Sequence, residues 1–204
     1  MEKRLIPSPR TLDDVKILSR DLIGRGWGKL ERFVFRHRRF DGEWSDEVTR
    51  DLYTIGEVSM IIPYDPALDA VLLVEQFRTC GLYWNDATWL FEAIAGIIDP
   101  GETPPEVARR EAGEEAGLKI ATPVPIATVY SSPGGYGERT HMYAGATDLS
   151  TAGGIHGLAH EHEDIRAVVV PLAEALVASF DGRIRDAKTI LMIQWLTANK
   201  SQFL

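Results

Sequence analysis

The chain has 204 residues, 45% of them hydrophobic and 25% charged, with a formal net charge of −8. That length allows one large domain or a domain with a small appendage, and the apolar content suffices for a core. The acidic balance argues against a nucleic-acid surface, which needs a basic stripe, and no run is apolar and long enough to read as a membrane span or a secretory leader. The single cysteine, Cys80, rules out an internal disulfide and fits a reducing compartment, so a cytoplasmic protein is expected. Cys80 itself reads as a small buried hydrophobe.

Residues 1–10 read as a loose tail. Residues 15–19 alternate like a strand, and residues 21–28, with two glycines around Arg25, read as a connection. Residues 30–40 form a long strand, with Phe33 and Phe35 on one face and Arg32, Val34 and Arg36 on the other. Asp41-Gly42 is a hairpin signal, and residues 44–55 return as the partner strand. Three strands with so few large apolar residues are marginal alone. The first 55 residues therefore need another surface, from the rest of the chain or from a second copy.

Past Gly56, residues 58–63 form a strand, and residues 70–77 are apolar almost throughout, as in a central strand buried on both faces. Residues 88–93 form a short strand carrying Trp89 and Phe91. Strands at 124–130 and 138–147 flank a loop, Ser131-Ser132-Pro133-Gly134-Gly135. Residues 151–164 form a polar, glycine-rich loop, long for a compact domain and of the kind that often carries function. A strand at 165–171 and helices at 172–180 and 187–199 follow. This order implies an α/β (α+β) chain: a small antiparallel β domain over 1–55, then a mixed sheet with helices on both faces over 56–204.

The chemistry concentrates in Gly96-Ile97-Ile98-Asp99-Pro100-Gly101-Glu102 and Arg110-Glu111-Ala112-Gly113-Glu114-Glu115-Ala116-Gly117. Thr103 is placed to cap a helix, with Glu106 completing a capping box. Pro104 sits in the first turn, and Gly117 stops the helix in a left-handed cap. Glu111, Glu114 and Glu115 share one face, near the negative end of the helix dipole. Anions so crowded repel unless a cation lies between them, and clustered hard oxygens suit Mg²⁺ or Mn²⁺. Paired glutamates are common on solvated helices, where Arg110 would pair with Glu114, but here the glycine, arginine and glutamate spacing is fixed over residues 96–117.

That spacing resembles the Nudix box. The chain is also similar to the bacterial ADP-ribose pyrophosphatases of that family along its length. The similarity is carried by Phe40-Asp41-Gly42-Glu43-Trp44-Ser45, Glu47-Val48-Thr49-Arg50, Val74-Glu75-Gln76-Phe77-Arg78, the Ser131 to Gly135 loop with Glu138-Arg139, Gly154-Ile155-His156-Gly157-Leu158, Glu161-His162-Glu163-Asp164-Ile165-Arg166 and Ile193-Gln194-Trp195-Leu196. The resemblance implies an α/β/α Nudix sandwich behind an N-terminal sheet exchanged across a homodimer. It implies metal-dependent hydrolysis of a small nucleoside-diphosphate sugar, ADP-ribose, to AMP and ribose 5-phosphate, with no nucleic-acid or membrane partner.

By the same resemblance, Glu111, Glu115 and Glu163 with the Ala95 carbonyl hold metal, Glu114 serves a further ion, and Glu161 is the general base. Trp27 stacks on the adenine with Gly28 beside it, and Arg50 and Asp51 reach the base from the partner subunit. Arg78 contacts phosphate, and the Ile97 backbone, Ser132, Pro133, Gly134 and Glu138 contact substrate. Ile55 departs from the family, which usually has an arginine there. His160 and His162 flank Glu161 and rank second as bases, and His37, His141 and His156 lack metal-ligand spacing. Two rivals stay open. Gly182-Arg183-Ile184-Arg185-Asp186-Ala187-Lys188-Thr189 resembles the GDP-mannose-cleaving sister group, and a non-catalytic nucleotide-sugar sensor would have lost the box carboxylates.

Overall fold

The computed structural model describes residues 10–203; of the expected loose tail only Arg10 lies inside that range. The chain divides into two compact units, residues 1–55 with 132–137, and residues 56–131 with 138–204.

In the first unit a 3-10 turn, Leu12–Asp14, is capped by Thr11, and three antiparallel strands follow: β1 (Val15–Arg25), β2 (Lys29–His37) and β3 (Val48–Thr54). β1 runs through the stretch expected to be a connection. It pairs with β2 from Val15↔His37 to Arg25↔Lys29, and irregularities at Ile17/Ser19 and Leu22/Gly24 absorb Gly24 within the ladder. The connection shrinks to Gly26-Trp27-Gly28. Residues 41–43 turn, with Gly42 at φ +91°, but the return strand starts only at Val48, after an isolated Arg38–Trp44 bridge. Residues 132–137 close on β3, where Tyr53 N–H donates to Gly135 O at 3.1 Å and the Tyr53 and Tyr136 rings stack at 5.9 Å. None of the buried hydrophobic core residues comes from residues 10–55, and Ile17, Leu18, Leu22 and Ile23 are exposed.

The second unit holds the core. Its elements are β4 (Glu57–Asp65), β5 (Ala70–Phe77), α1 (Cys80–Trp84), β6 (Trp89–Glu92), β7 (Ile94–Ile97), α2 (Pro104–Ala116), β8 (Val124–Ser132), β9 (Tyr136–Ala146), β10 (Gly154–His156), β11 (Ile165–Pro171), α3 (Leu172–Asp181) and α4 (Ala187–Asn199). β4 lies parallel to β9 from Glu57↔Arg139 to Tyr64↔Ala146, and antiparallel to β5 and β7. β5 pairs antiparallel with β11 and β6, and β10 forms the edge beyond β11. β5 is buried from Ala70 to Val74, as its continuous apolar run requires. Leu72 and Val74, with Ile61, Ile94, Ile165 and Ala167, pack against Ala108, Ala112 and Ala116 of α2. The alternating set, Met60, Ile62, Val71 and Leu73, is equally buried, on the side where α3 and α4 pack. The protein is thus a mixed α/β chain with helices on both faces of a mixed sheet.

Two features of the second unit also depart from expectation. The short helix α1 lifts Cys80 to the surface, so it is not a core residue. The stretch 151–164 contains β10 and a 3-10 turn, Ala159–Glu161, set between glycines at positive φ.

Candidate active site

The site begins with the termini of α2. Thr103 and Glu106 close a capping box, Thr103 N–H donating to Glu106 Oε2 at 2.9 Å. Pro104 fills the first position and Gly117, at φ +66°, ends the helix. The face that α2 buries is Val107, Ala108, Glu111, Ala112, Glu115 and Ala116, so two of the three box glutamates lie on the core side. Glu111 is 9% exposed and Glu115 2%. Glu111 crosses directly over Gly96 of β7, where any Cβ would collide with its carboxylate. The motif's first glycine is therefore a requirement of close packing between α2 and β7.

Arg110 organises the helix surface. Its Nε donates to Glu102 Oε1 at 3.0 Å, and its Nη1 to Glu111 Oε1 at 2.7 Å and Glu114 Oε2 at 2.8 Å. Glu114 thus sits on the flank with Arg110, apart from the buried pair. Burial, only partly offset by Arg110, raises the Glu111 carboxyl to about 7. Glu115 is pushed well above the carboxylate range by burial first, then by the charges of Glu111 and Glu163; Arg78 and a hydrogen bond from the Ala95 backbone oppose this. Glu115 Oε2 is buried with no hydrogen-bond partner.

Among the described residues no three His, Cys, Asp or Glu side chains converge as a ready-made ligand set. The reason is visible in the bonds: Arg110 holds Glu111 and Glu114, and Leu158 N–H holds Glu163 Oε2 at 3.1 Å. The donor set still fits a hard divalent cation. It is all oxygen, its Glu111 and Glu115 are buried, and it contains an orphaned carboxylate oxygen that only a cation or a proton can satisfy.

The remaining expected residues of the second unit stand as follows. Glu161 ends the 3-10 turn, its side chain 54% exposed and 3.5 Å from His160 Nε2. Arg78 follows β5, and its fork grips Glu92 Oε2 through Nε at 2.9 Å and Nη2 at 2.7 Å. Ile97 ends β7, its carbonyl 3.5 Å from Arg110 Nη2. Glu138 is 4% exposed, and its Oε1 accepts from Ser131 Oγ at 2.8 Å, Thr140 Oγ1 at 2.7 Å and Lys188 Nζ at 2.8 Å. Burial works to raise this carboxyl, but Lys188 and the two hydroxyls outweigh it and hold it down at about 2.

Sequence reasoning missed Glu92 and Lys188. The signal lay in the Gly182 to Thr189 segment, noted only for its resemblance to the GDP-mannose group. Here it builds the start of α4: Asp186 caps Thr189 N–H at 2.8 Å, and Thr189 Oγ1 accepts from Ala93 N–H at 2.8 Å. That contact ties α4 to the β6–β7 junction that leads to Ala95.

The first unit carries the other expected residues. Trp27 is 78% exposed. Gly28 is buried, and a Cβ there would come within 2.6 Å of Thr54 O and the Tyr53 ring. Asp51 is held by Arg32 in a fork at 2.7 and 2.8 Å, while Arg50 is exposed and donates to Thr49 O at 2.7 Å. Ser132, Pro133 and Gly134 are exposed, with Ser132 O accepting from Gly135 N–H at 3.3 Å.

Residues 55–192 match the NUDIX domain family. The chain is 42% identical over 184 residues to an ADP-ribose pyrophosphatase of Escherichia coli (strain K12), spanning 90% of this chain and 88% of that one. It is 41% identical over 192 residues to an ADP-ribose pyrophosphatase of Haemophilus influenzae, spanning 93% and 88%. A GDP-mannose pyrophosphatase of Pectobacterium atrosepticum is 34% identical over 185 residues, spanning 88% and 92%. The crystal structure of an ADP compounds hydrolase matches with a TM-score of 0.71 at 18% identity, covering 95% of this chain and 98% of that one, a likeness of fold.

Proposed function

The chain belongs to the NUDIX domain family, and from that premise we propose that it hydrolyses the diphosphate of ADP-ribose to AMP and ribose 5-phosphate. The observation that carries the reading is the buried, partnerless Oε2 of Glu115 beside Glu111 on the core face of α2. Two carboxylates folded into the core at such a cost are held there for a task, and a bound cation relieves their repulsion while leaving them charged. Glu111, Glu115 and Glu163 with the Ala95 carbonyl would hold Mg²⁺ or Mn²⁺, and Glu114 a further ion. The bound cation supplies positive charge against the diphosphate oxygens and acidifies the attacking water.

The chain's own groups do the rest. Glu161, exposed and free of the box, takes the proton from water. Arg110 keeps Glu111 and Glu114 oriented, and Arg78 offers its guanidinium to a phosphate. Glu138, the Ile97 backbone and Ser132-Pro133-Gly134 line the substrate, and Trp27, Gly28, Arg50 and Asp51 serve the adenine end. The first 55 residues belong to a sheet exchanged across a homodimer. What supports this is that residues 10–55 contribute no buried hydrophobic core residue and leave four aliphatic side chains of β1 exposed. The enzyme works in the cytoplasm on a diffusible substrate; among the described residues no helix is long and apolar enough to cross a membrane.

GDP-mannose remains the second reading. Its cleaving enzymes share less identity with this chain, 34% against 42%, and the Gly182 to Thr189 segment has a structural task in α4. The sensor reading is disfavoured because Glu111, Glu114 and Glu115 are all retained. The test is product analysis from ADP-ribose, GDP-mannose, NADH and diadenosine polyphosphates, with Mg²⁺ and then with a chelator. AMP and ribose 5-phosphate formed fastest from ADP-ribose, and only with metal, is the expected result. Turnover that survives chelation, or a preference for GDP-mannose, overturns it.

A further inference from the structure

His156 has no role in the reading above, yet its surroundings are specific. It ends β10, a three-residue strand between Gly153 and Gly154, at φ +125° and +103°, and Gly157, at φ +104°. Only glycine adopts such angles cheaply, so these glycines let the chain turn sharply into and out of the strand. In the ladder with β11, His156 lies opposite Ile165, a fully buried member of the core against α2, while Ile155 points outward and is 69% exposed. The imidazole therefore faces α2. Its Nε2 is 3.1 Å from Gly153 O, and its Cε1 lies 3.4 Å from the place a Cβ would take on Gly117. The ring is thus seated on the left-handed cap that ends the helix of Glu111 and Glu115.

The residues just beyond His156 hold the acidic loop. Gly157 lies so close to Glu163 that a Cβ there would come within 2.7 Å of the Glu163 Cβ. Leu158 N–H donates to Glu163 Oε2 at 3.1 Å, and Leu158 O accepts from Glu161 N–H at 2.9 Å and Glu163 N–H at 3.4 Å. The imidazole meets the α2 cap by packing alone, and from His156 onward the path to the Glu163 carboxylate is short and runs through covalent and hydrogen bonds.

We propose that His156 is a positioning residue: seated between the α2 cap and Gly153 O, it sets the register of Gly157-Leu158 and so aims the Glu163 carboxylate at Glu111 and Glu115. This rests on the reading of those three carboxylates as metal ligands. It assigns His156 no contact with substrate or cation. Groups that orient ligands in this way typically change metal affinity by about 10–100-fold when removed.

The test compares Mn²⁺ binding to the metal-free full chain by calorimetry, together with steady-state kinetics, for His156→Ala, His156→Gln and Glu115→Gln. His156→Ala is expected to bind Mn²⁺ about tenfold more weakly, with the metal concentration for half-activation raised in step and KM for ADP-ribose at saturating metal unchanged. His156→Gln, whose amide can donate to Gly153 O, is expected to recover most of that loss. Wild-type Mn²⁺ affinity in His156→Ala, with Glu115→Gln binding poorly, overturns the positioning role and leaves the site reading intact. Wild-type affinity in Glu115→Gln overturns the site reading itself. If His156→Ala does not fold, a folded His156→Gln that loses as much affinity as Glu115→Gln also overturns the role, because conservative replacement must then rescue.

Discussion

Lys188 Nζ stands 2.8 Å from Glu138 Oε1, and both side chains are largely withdrawn from solvent, at 19% and 5% exposure. The pair joins the start of α4 to β9. Removing the lysine leaves the Glu138 charge buried without its counter-ion, held only by hydroxyls such as those of Ser131 and Thr140, and breaking such a pair typically costs about 3–5 kcal/mol. Lys188→Met is therefore expected to lower Tm by roughly 10 °C at pH 7. The drop should shrink at pH 3, where the variant's Glu138 can take up a proton. Thermal melts at the two pH values check it, and equal drops would contradict the ion-pair account.

The same carboxylate sets an acid limit. Its value of about 2 lies below the ordinary 4.5, so the stabilisation is present above pH 4.5 and is lost as pH falls from there toward 2. The contribution is of the order of 3 kcal/mol. Urea melts between pH 5 and 2.5 should show this loss in the wild type and little of it in Glu138→Gln.

Glu111 works in the opposite sense. Its carboxyl is raised to about 7, so its contribution is full below pH 4.5 and is lost as pH rises through 7. In the presence of chelator, stability should fall between pH 5 and 8. Millimolar Mg²⁺ should remove that slope, since a bound cation stabilises only the folded chain. A chelator-independent pH profile would show that the carboxylates meet no cation.

Glu115→Gln removes a buried carboxyl whose Oε2 has no partner and whose ionised form is disfavoured by burial. Without divalent ions the variant is expected to melt no lower than the wild type at pH 7. With Mg²⁺ the order should reverse, and ADP-ribose turnover should fall by roughly a thousandfold. Calorimetric melts and product assays on one preparation test both halves.

Glu161→Gln separates proton transfer from binding. Turnover should fall by about 10²–10⁴ while KM stays within about twofold, because the residue is exposed and outside the carboxylate cluster. Full activity at saturating Mg²⁺ would assign the base elsewhere, with His160 and His162 the next residues to replace.

Much of this was legible in the chain itself. The caps of α2 follow from Thr103, Glu106, Pro104 and Gly117, whose effects act within a few residues. The central strand β5 follows from its unbroken apolar run, and the box spacing brings Glu111 and Glu115 onto one turn. Local propensity misled where pairing overruled it: β1 carries Gly24 inside a ladder that neighbouring hydrogen bonds sustain. It also misled at Cys80, where a five-residue helix turns the side chain outward.

The ends of α2, the buried run of β5 and the placing of Glu111 and Glu115 on one turn could thus be read along the chain, because they depend on contacts between near neighbours. Which distant groups meet is a matter of the folded chain: Lys188 with Glu138, 50 positions apart, and Thr189 with Ala93, 96 apart. It alone decided that Glu115 is sealed without a partner while Arg110 takes Glu111 and Glu114. Such pairings follow from strand register and the seating of helices on the sheet, and no periodicity along the chain encodes them.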